Sequence, residues 1–289
     1  MATGRSTIPL HKLNEVTDEG FQLERVPSLE DLTREAILLD THRDDHYLFF
    51  LMEKGESQTM VDFHPFVLNE SNLCFILPGQ VHRYLYASKE IAGWFLAMDA
   101  GLIPDEFRAV LEDPLLAVRP ISPEAQCMEQ MGRCLALAYD LNVQPATSFS
   151  KRAVYSLLTT FVAMVANLYA QQRDLPIGKW SRSQVITRDF RALLTREYKQ
   201  LKSPGDYAAA LHLSLSYLNE AVKEATGCTV TYWIQQEIML EAKRLLYHSS
   251  CSVKEVAYQL GYEDPTYFSR LFKKAVGKTP GDFREQYRK

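Results

Sequence analysis

At 289 residues, with 46% hydrophobic and 24% charged side chains, the chain is long enough for two domains with a core each, and its composition excludes a largely disordered protein. The net charge of -4 conceals a polarity: up to Lys179 there are 15 basic against 24 acidic side chains, or -9, and from Trp180 onward 17 against 12, or +5. A basic module joined to an acidic one suits a nucleic-acid binder attached to a part that does not touch nucleic acid. The five cysteines (Cys74, Cys127, Cys134, Cys228, Cys251) form no C-x-x-C pair, and nothing at the N-terminus has the charged, apolar, small-residue order of a signal peptide, so a cytoplasmic protein with free thiols is expected.

Residues 1 to about 120 read as strands and turns, with apolar runs such as Tyr47 to Met52 and Leu73 to Leu77 broken by Gly55, by Asn69 to Asn72 and by Pro78-Gly79. This predicts a β barrel or sandwich over 1–122. From Pro123 the period becomes helical: Met128, Met131, Leu135 and Ala138 share one face, and Val154, Leu157, Leu158, Phe161, Val165 and Leu168 share another. Ala153 to Ala170 carries no charge over 18 residues. Interruption by Ser156, Thr159, Thr160 and Asn167, with Lys151, Arg152 and Arg173 close by, argues for a buried or dimer-forming helix and against a membrane span. Residues 123–175 are therefore expected to be a helical dimerisation segment. The polar stretch Gln171 to Ser183, with Pro176 and Gly178, predicts a linker at 176–183, and 184–289 is expected to be all-helical.

The C-terminal region repeats itself at an offset of 49 to 50 residues. Ala208 and Leu211 align with Ala257 and Leu260, and Tyr217, Leu218, Lys223, Gly227 and Thr229 align with Tyr267, Phe268, Lys273, Gly277 and Thr279. Each copy reads as a helix, a short turn and a second helix. Ser252 and Glu255 make a capping box; after the turn Gly261-Tyr262-Glu263, Asp264 caps the next helix with Pro265 in its first position, and Gly277 ends it. In the first copy Ser203-Pro204 opens one helix, Ser214 caps the other, and Gly227 closes it. Between the copies Ile234, Ile238, Ala242 and Leu245 mark a connecting helix roughly 25 Å long. Such a strut suits two recognition helices set about one duplex turn apart, roughly 34 Å. Leu218, Phe268, Phe272 and Tyr267 are assigned to the core.

The strings Ser252-Val253-Lys254-Glu255-Val256-Ala257, Leu260-Gly261-Tyr262, Tyr267-Phe268-Ser269-Arg270-Leu271-Phe272-Lys273-Lys274 and Gly277-Lys278-Thr279-Pro280 resemble the signature of the AraC/XylS regulators, as does Glu241 to Leu246 in the connector. The resemblance covers about residues 181–289 and is looser in the first repeat, where Asn219-Glu220-Ala221-Val222 replaces the basic residue and phenylalanine of many members. It implies an AraC-type double helix-turn-helix domain over 184–289 with double-stranded DNA as partner, and it implies which faces meet DNA. Ser216, Asn219 and Glu220 in the first recognition helix, and Thr266, Ser269 and Arg270 in the second, occupy base-facing positions. Asn219 suits an adenine edge, Glu220 a cytosine amine and Arg270 the O6/N7 edge of guanine. Lys223, Lys273 and Lys274 are assigned to phosphates.

His42-Arg43-Asp44-Asp45-His46, Leu77-Pro78-Gly79-Gln80-Val81-His82 and Gly93 to Met98 resemble the family's cupin-like jelly-roll sensor domain. The fold class implied is therefore α+β in two domains: a cupin-like β jelly roll with a helical dimerisation segment, then an all-α domain with two helix-turn-helix motifs. Cupin enzymes hold a metal through histidines, which makes His42, His46 and His82 candidate ligands; the usual H-x-H is absent and regulators of this family generally lack the ion, so neither metal nor other cofactor is expected. His46, His82, Tyr84 and Trp94 are the candidates for a small-molecule effector. Three readings stay open: a ligand-responsive DNA-binding regulator, which leads; a cupin enzyme with an accessory helical module; and a regulator whose β domain only dimerises. A homodimer is expected, RNA polymerase is a candidate partner, and no enzymatic activity or membrane association is expected.

Overall fold

Short runs of apolar and β-branched residues bounded by turn formers give nine strands among the residues described by the computed structural model, which are 7–26, 41–113, 119–145, 147–171 and 181–287. They are β1 (Leu10–His11), β2 (Phe21–Arg25), β3 (His42–Asp44), β4 (Tyr47–Lys54), β5 (Ser57–Val61), β6 (His64–Leu68), β7 (Asn72–Ile76), β8 (Val81–Ala87) and β9 (Ala92–Met98). One sheet has the order β1-β3-β8-β5-β6 and the other β2-β9-β4-β7. The pairing of β1 with β3 is parallel, and the other strand pairs are antiparallel. Val61 of the first sheet packs with Leu48, Ile76 and Ala97 of the second, so the sheets meet face to face.

The second sheet is apolar on both faces, because its other face carries Phe49, Leu51, Phe75, Trp94 and Leu96 into a core shared with helices. After β9 the chain forms α1 (Asp105–Leu111), where strands and turns were expected up to residue 122. Seven residues make barely two turns, too few for a 3.6-residue period to emerge, and the helix is instead marked by Asp105 and Glu106 at its positive end. Then come α2 (Ala125–Asn142) and α3 (Ser148–Gln171). Met128, Met131, Leu135 and Ala138 of α2, and Val154, Leu158, Phe161 and Val165 of α3, are buried as their spacing requires. Tyr155 and Tyr169 of α3 donate their hydroxyls to the carbonyls of Glu19 and Arg119.

By length and composition Phe149–Gln171 passes as a membrane span. Its apolar stripe, however, is covered within this unit: Phe161, Val162, Val165 and Tyr169 have no exposed surface. The apolar side chains left in solvent on α2, its C-terminal cap and α3 are Leu137, Val143 and Phe149.

The chain divides into two compact units, Pro9–Ile177 and Gly178–Lys289, the latter together with Met1–Ile8. The second contains α4 (Arg182–Glu197), α5 (Pro204–Ala210), α6 (Leu215–Thr226), α7 (Val230–His248), α8 (Val253–Gln259), α9 (Pro265–Val276) and α10 (Pro280–Tyr287). Ser181 caps α4, so Arg182 and Ser183 of the expected linker are helical, while its residues 176–180 lie outside the described residues. Phe190, Tyr207, Leu218, Val222, Ile234, Leu246, Phe268 and Phe272 share one core.

The local signals of the repeat are realised in both copies. Ser203 with Asp206, and Ser252 with Glu255, form capping boxes at α5 and α8; Ser214 and Asp264 cap α6 and α9; Gly227 and Gly277 close those helices in the left-handed conformation. Each side-chain cap is worth about 1 kcal/mol. The turn before α9 needs Gly261 twice over, since its φ is +77° and a Cβ there would lie 1.9 Å from the Lys199 carbonyl oxygen. One core expectation fails. Tyr267 is 53% exposed, and its repeat partner Tyr217 is exposed too. On a helix the inward stripe runs through Phe268 and Phe272, and a residue one position earlier is turned about 100° away from it.

Candidate nucleic-acid interface

A helix-turn-helix unit needs its second helix packed along one stripe and polar along the opposite one. Both copies meet this. Leu218 and Val222 in α6, and Phe268 and Phe272 in α9, are fully buried at matching positions. On the outer side Ser216, Glu220 and Lys223 of α6, and Thr266, Arg270, Lys273 and Lys274 of α9, are exposed; Asn219 and Ser269 are half-buried. The structure thus brings Ser216, Asn219, Glu220 and Lys223 to one helix face, and Thr266, Ser269, Arg270 and Lys273 to the equivalent face of its twin.

These candidates differ in how they are held. Asn219 donates its amide to the Leu215 carbonyl at 3.1 Å, and the Ser269 hydroxyl donates to the Pro265 carbonyl at 2.8 Å, both back-bonds to their own helix. Ser216 lies 3.2 Å from the Ser214 cap oxygen. Lys223 and Lys273 stand in the last turns of α6 and α9, where the helix dipole favours a cation. Tyr217 and Tyr267 flank the same faces and are both exposed; of the two, sequence reasoning assigned Tyr267 to the core, although the recurrence of a tyrosine at this position in both copies was a visible signal.

The frame behind these helices is polar as well as apolar. Trp233 of α7 donates to Thr226 Oγ1 at 3.0 Å while Arg191 lies over its ring, which ties α4, α6 and α7 together. Glu241 and Arg244 pair at 3.3 Å inside α7 with almost no exposure. Arg284 of α10 donates to the carbonyls of Leu246 and Cys251, fixing the junction between α7 and α8.

In the β unit the four effector candidates separate. His82 and Tyr84 are alternate residues of β8, their rings 6.4 Å apart, and Tyr84 meets Phe50 between the sheets. His46 is buried in the turn after β3 with Nδ1 2.9 Å from Asp45 Oδ1. Trp94 is a correction: it belongs to the other face of the second sheet, packed on Tyr139 of α2, with Nε1 donating to Glu53 at 3.0 Å and Arg25 stacked on its ring. That ring is core and does not join the histidines.

Around His82 lies a group that sequence reasoning only partly foresaw. His11, His42, Asp44 and His82 come together from β1, β3 and β8, the last three buried. Burial pushes the Asp44 carboxyl up to about 6, against the pull of His46, and pushes the His82 imidazole down to about 3. The loop before His82 is pinned by Gln80, whose side chain accepts from the Leu77 N–H and donates to Asp62.

Comparison with known proteins fits both units. Residues 36–158 match the AraC-like ligand binding domain, and residues 207–286 match a helix-turn-helix domain. The chain is 22% identical over 254 residues to the Msm operon regulatory protein of Streptococcus mutans, covering 85% of this chain and 86% of that one. It is 23% identical over 262 residues to the transcriptional activator RhaS of Klebsiella pneumoniae, covering 84% and 87%. With the HTH-type regulator YisR of Bacillus subtilis, itself uncharacterized, identity rises to 35% but over 125 residues, 43% of this chain and 42% of that one. A ligand-binding β domain followed by two matched helix-turn-helix units makes this chain a DNA-binding transcription regulator of the AraC/XylS family.

Proposed function

We propose that this regulator reads two neighbouring major-groove segments of duplex DNA with the outer faces of α6 and α9, and that the β domain adjusts this binding in response to a small molecule. The observation that carries the reading is the pair of equivalent helices, each capped, each packed through an i, i+4 apolar pair, and each presenting polar side chains outward. Ser216, Asn219, Glu220, Thr266, Ser269 and Arg270 contact bases; Lys223, Lys273 and Lys274 contact phosphates. Glu220 at a base position gives the first helix a preference for cytosine on the contacted strand.

The limits of the parts are 1–122 for the sensor, 123–175 for a dimerising helical segment, 176–183 for the linker and 184–289 for the DNA-binding domain. Effector contacts come from His46, His82 and Tyr84; Trp94 packs against α2 on the far face of its sheet. A homodimer is supported by the exposed Leu137, Val143 and Phe149, RNA polymerase is a further partner, and the cytoplasm is the location. Relatives named as regulators support a chain without enzymatic activity.

The test is selection of a preferred duplex from a random library with the full-length protein, followed by titration at several salt concentrations. The expected operator has two read segments about one helical turn apart, roughly 10 base pairs centre to centre, and an affinity that falls at least tenfold between about 50 and 200 mM salt. Binding without sequence preference, or indifferent to salt, overturns the reading.

A further inference from the structure

We propose that His11, His42 and Asp44, with His82 as fourth donor, form a site for one divalent transition-metal ion inside the β domain. The strand register assembles it. His11 of β1 pairs with Asp44 of β3, and His42 of β3 pairs with His82 of β8. Because side chains alternate along a strand, His42 and Asp44 project from the same face of β3, so two cross-strand pairs stand side by side.

The distances suit shared coordination. One donor atom from each of His11, His42 and Asp44 lies within 4.8 Å of the other two. His11 Nδ1 is 3.9 Å from Asp44 Oδ1, and His82 Nε2 is 3.2 Å from Asp44 Oδ2. The His42 ring is stacked at 4.3 Å on His11 and set edge-on at 4.4 Å to His82. Bonds of about 2.1 Å to a tetrahedral ion put neighbouring donors about 3.4 Å apart. His82 and Asp44 are already at that separation. The remaining donors close by rotation, which is easiest for His11, only partly buried on the short strand β1.

A second observation points to a cation. His82 Nδ1 lies 3.2 Å from the Gln80 carbonyl, to which it donates, and this leaves Nε2 as the unprotonated nitrogen. Nε2 is buried and has no hydrogen-bond partner, although Asp44 Oδ2 is 3.2 Å away. Two lone pairs facing each other at this distance, out of water, repel; an ion between them satisfies both. The backbone bond at Nδ1 is the support that orients a metal-binding imidazole. Three imidazoles and one carboxylate select zinc, iron, cobalt or nickel and not magnesium or calcium, which take oxygen donors. The ligand set differs from the one weighed on sequence: His46 is turned to Asp45, and His11 and Asp44 take part.

The experiment uses untagged full-length protein, stripped with chelator and dialysed against Co²⁺, with bound cobalt measured by elemental analysis and visible absorption. The expected result is about one Co²⁺ per chain, displaced by Zn²⁺, and retained in His212→Ala, a histidine exposed in the other unit. His11→Ala and Asp44→Asn should each weaken binding at least about tenfold, with circular dichroism and urea midpoint of the stripped protein unchanged for His11→Ala. Should Asp44→Asn unfold, His11→Ala decides alone. Wild type binding no more cobalt than His11→Ala overturns the proposal, and then a proton on Asp44 bridges the pair. DNA titrations are not part of the readout, so failure of the DNA-binding reading leaves this result standing.

Discussion

Lys202 donates its ammonium to the carbonyl of Leu260, 58 residues further along the chain, and also to the carbonyl of Tyr198 at 2.6 Å. Tyr198 ends α4 and Leu260 ends α8, so one cation closes the C-termini of two helices and stands 4.9 Å over the Tyr262 ring. Through it the segment after α4 holds the turn that sets the direction of α9. Changing Lys202→Met keeps the length of the stem and leaves two half-buried carbonyls without their charged donor. The expected cost is about 2 kcal/mol, read as a lower urea midpoint at unchanged slope.

The same turn is sensitive to a single methyl group. In Gly261→Ala the added Cβ meets the Lys199 carbonyl at 1.9 Å, and φ of +77° is strained for alanine. Neither problem yields to side-chain rotation, because the obstacle is backbone. Destabilisation of about 3 kcal/mol is expected, large enough to lower the midpoint clearly and to weaken operator binding. At the equivalent position of the first repeat, His212 already holds a φ of 55°, so His212→Gly should be tolerated there.

Association between chains is expected to involve the apolar side chains that the β unit leaves in solvent. Phe149 is 83% exposed at the start of α3 and Val143 is 64% exposed after α2. Sedimentation at micromolar concentration should give a dimer for the wild type, and Phe149→Glu with Leu137→Asp should shift it to monomer while circular dichroism is unchanged. A wild-type monomer would remove the dimerising role assigned to 123–175.

What sequence revealed here follows the range over which each signal acts. Ser252 with Glu255, Asp264 with Pro265, and Gly277 lie within a turn of the backbone groups they satisfy, so chemistry at that range was legible. Trp94 was not, because both faces of β9 are buried and a two-residue alternation cannot say which apolar face meets helices and which meets the other sheet. His11 was out of reach for a different reason: a two-residue strand carries no pattern, and only its parallel pairing with β3, 33 positions downstream, brings it to Asp44. Tyr267 was misread because an aromatic beside a buried phenylalanine looks like core until the helical phase is fixed.

Base reading and phosphate holding can be told apart at Arg270 and Lys223. Arg270 stands in the first half of α9, exposed, one position after Ser269 and on the opposite side from Phe268 and Phe272; Lys223 stands in the last turn of α6. A guanidinium that grips guanine O6 and N7 contributes only where guanine is present. Arg270→Ala is therefore expected to cost about 1 to 3 kcal/mol on the preferred duplex and almost nothing on scrambled DNA. An ammonium on a phosphate contributes on any sequence and releases a counterion when it binds, so Lys223→Ala should weaken both duplexes alike and reduce the salt slope by about one unit. Two titrations per variant, repeated at several salt concentrations, measure both quantities. Equal loss on operator and scrambled DNA in Arg270→Ala would make the arginine a phosphate contact and rotate α9 in the groove, turning Lys273 and Lys274 toward the bases instead.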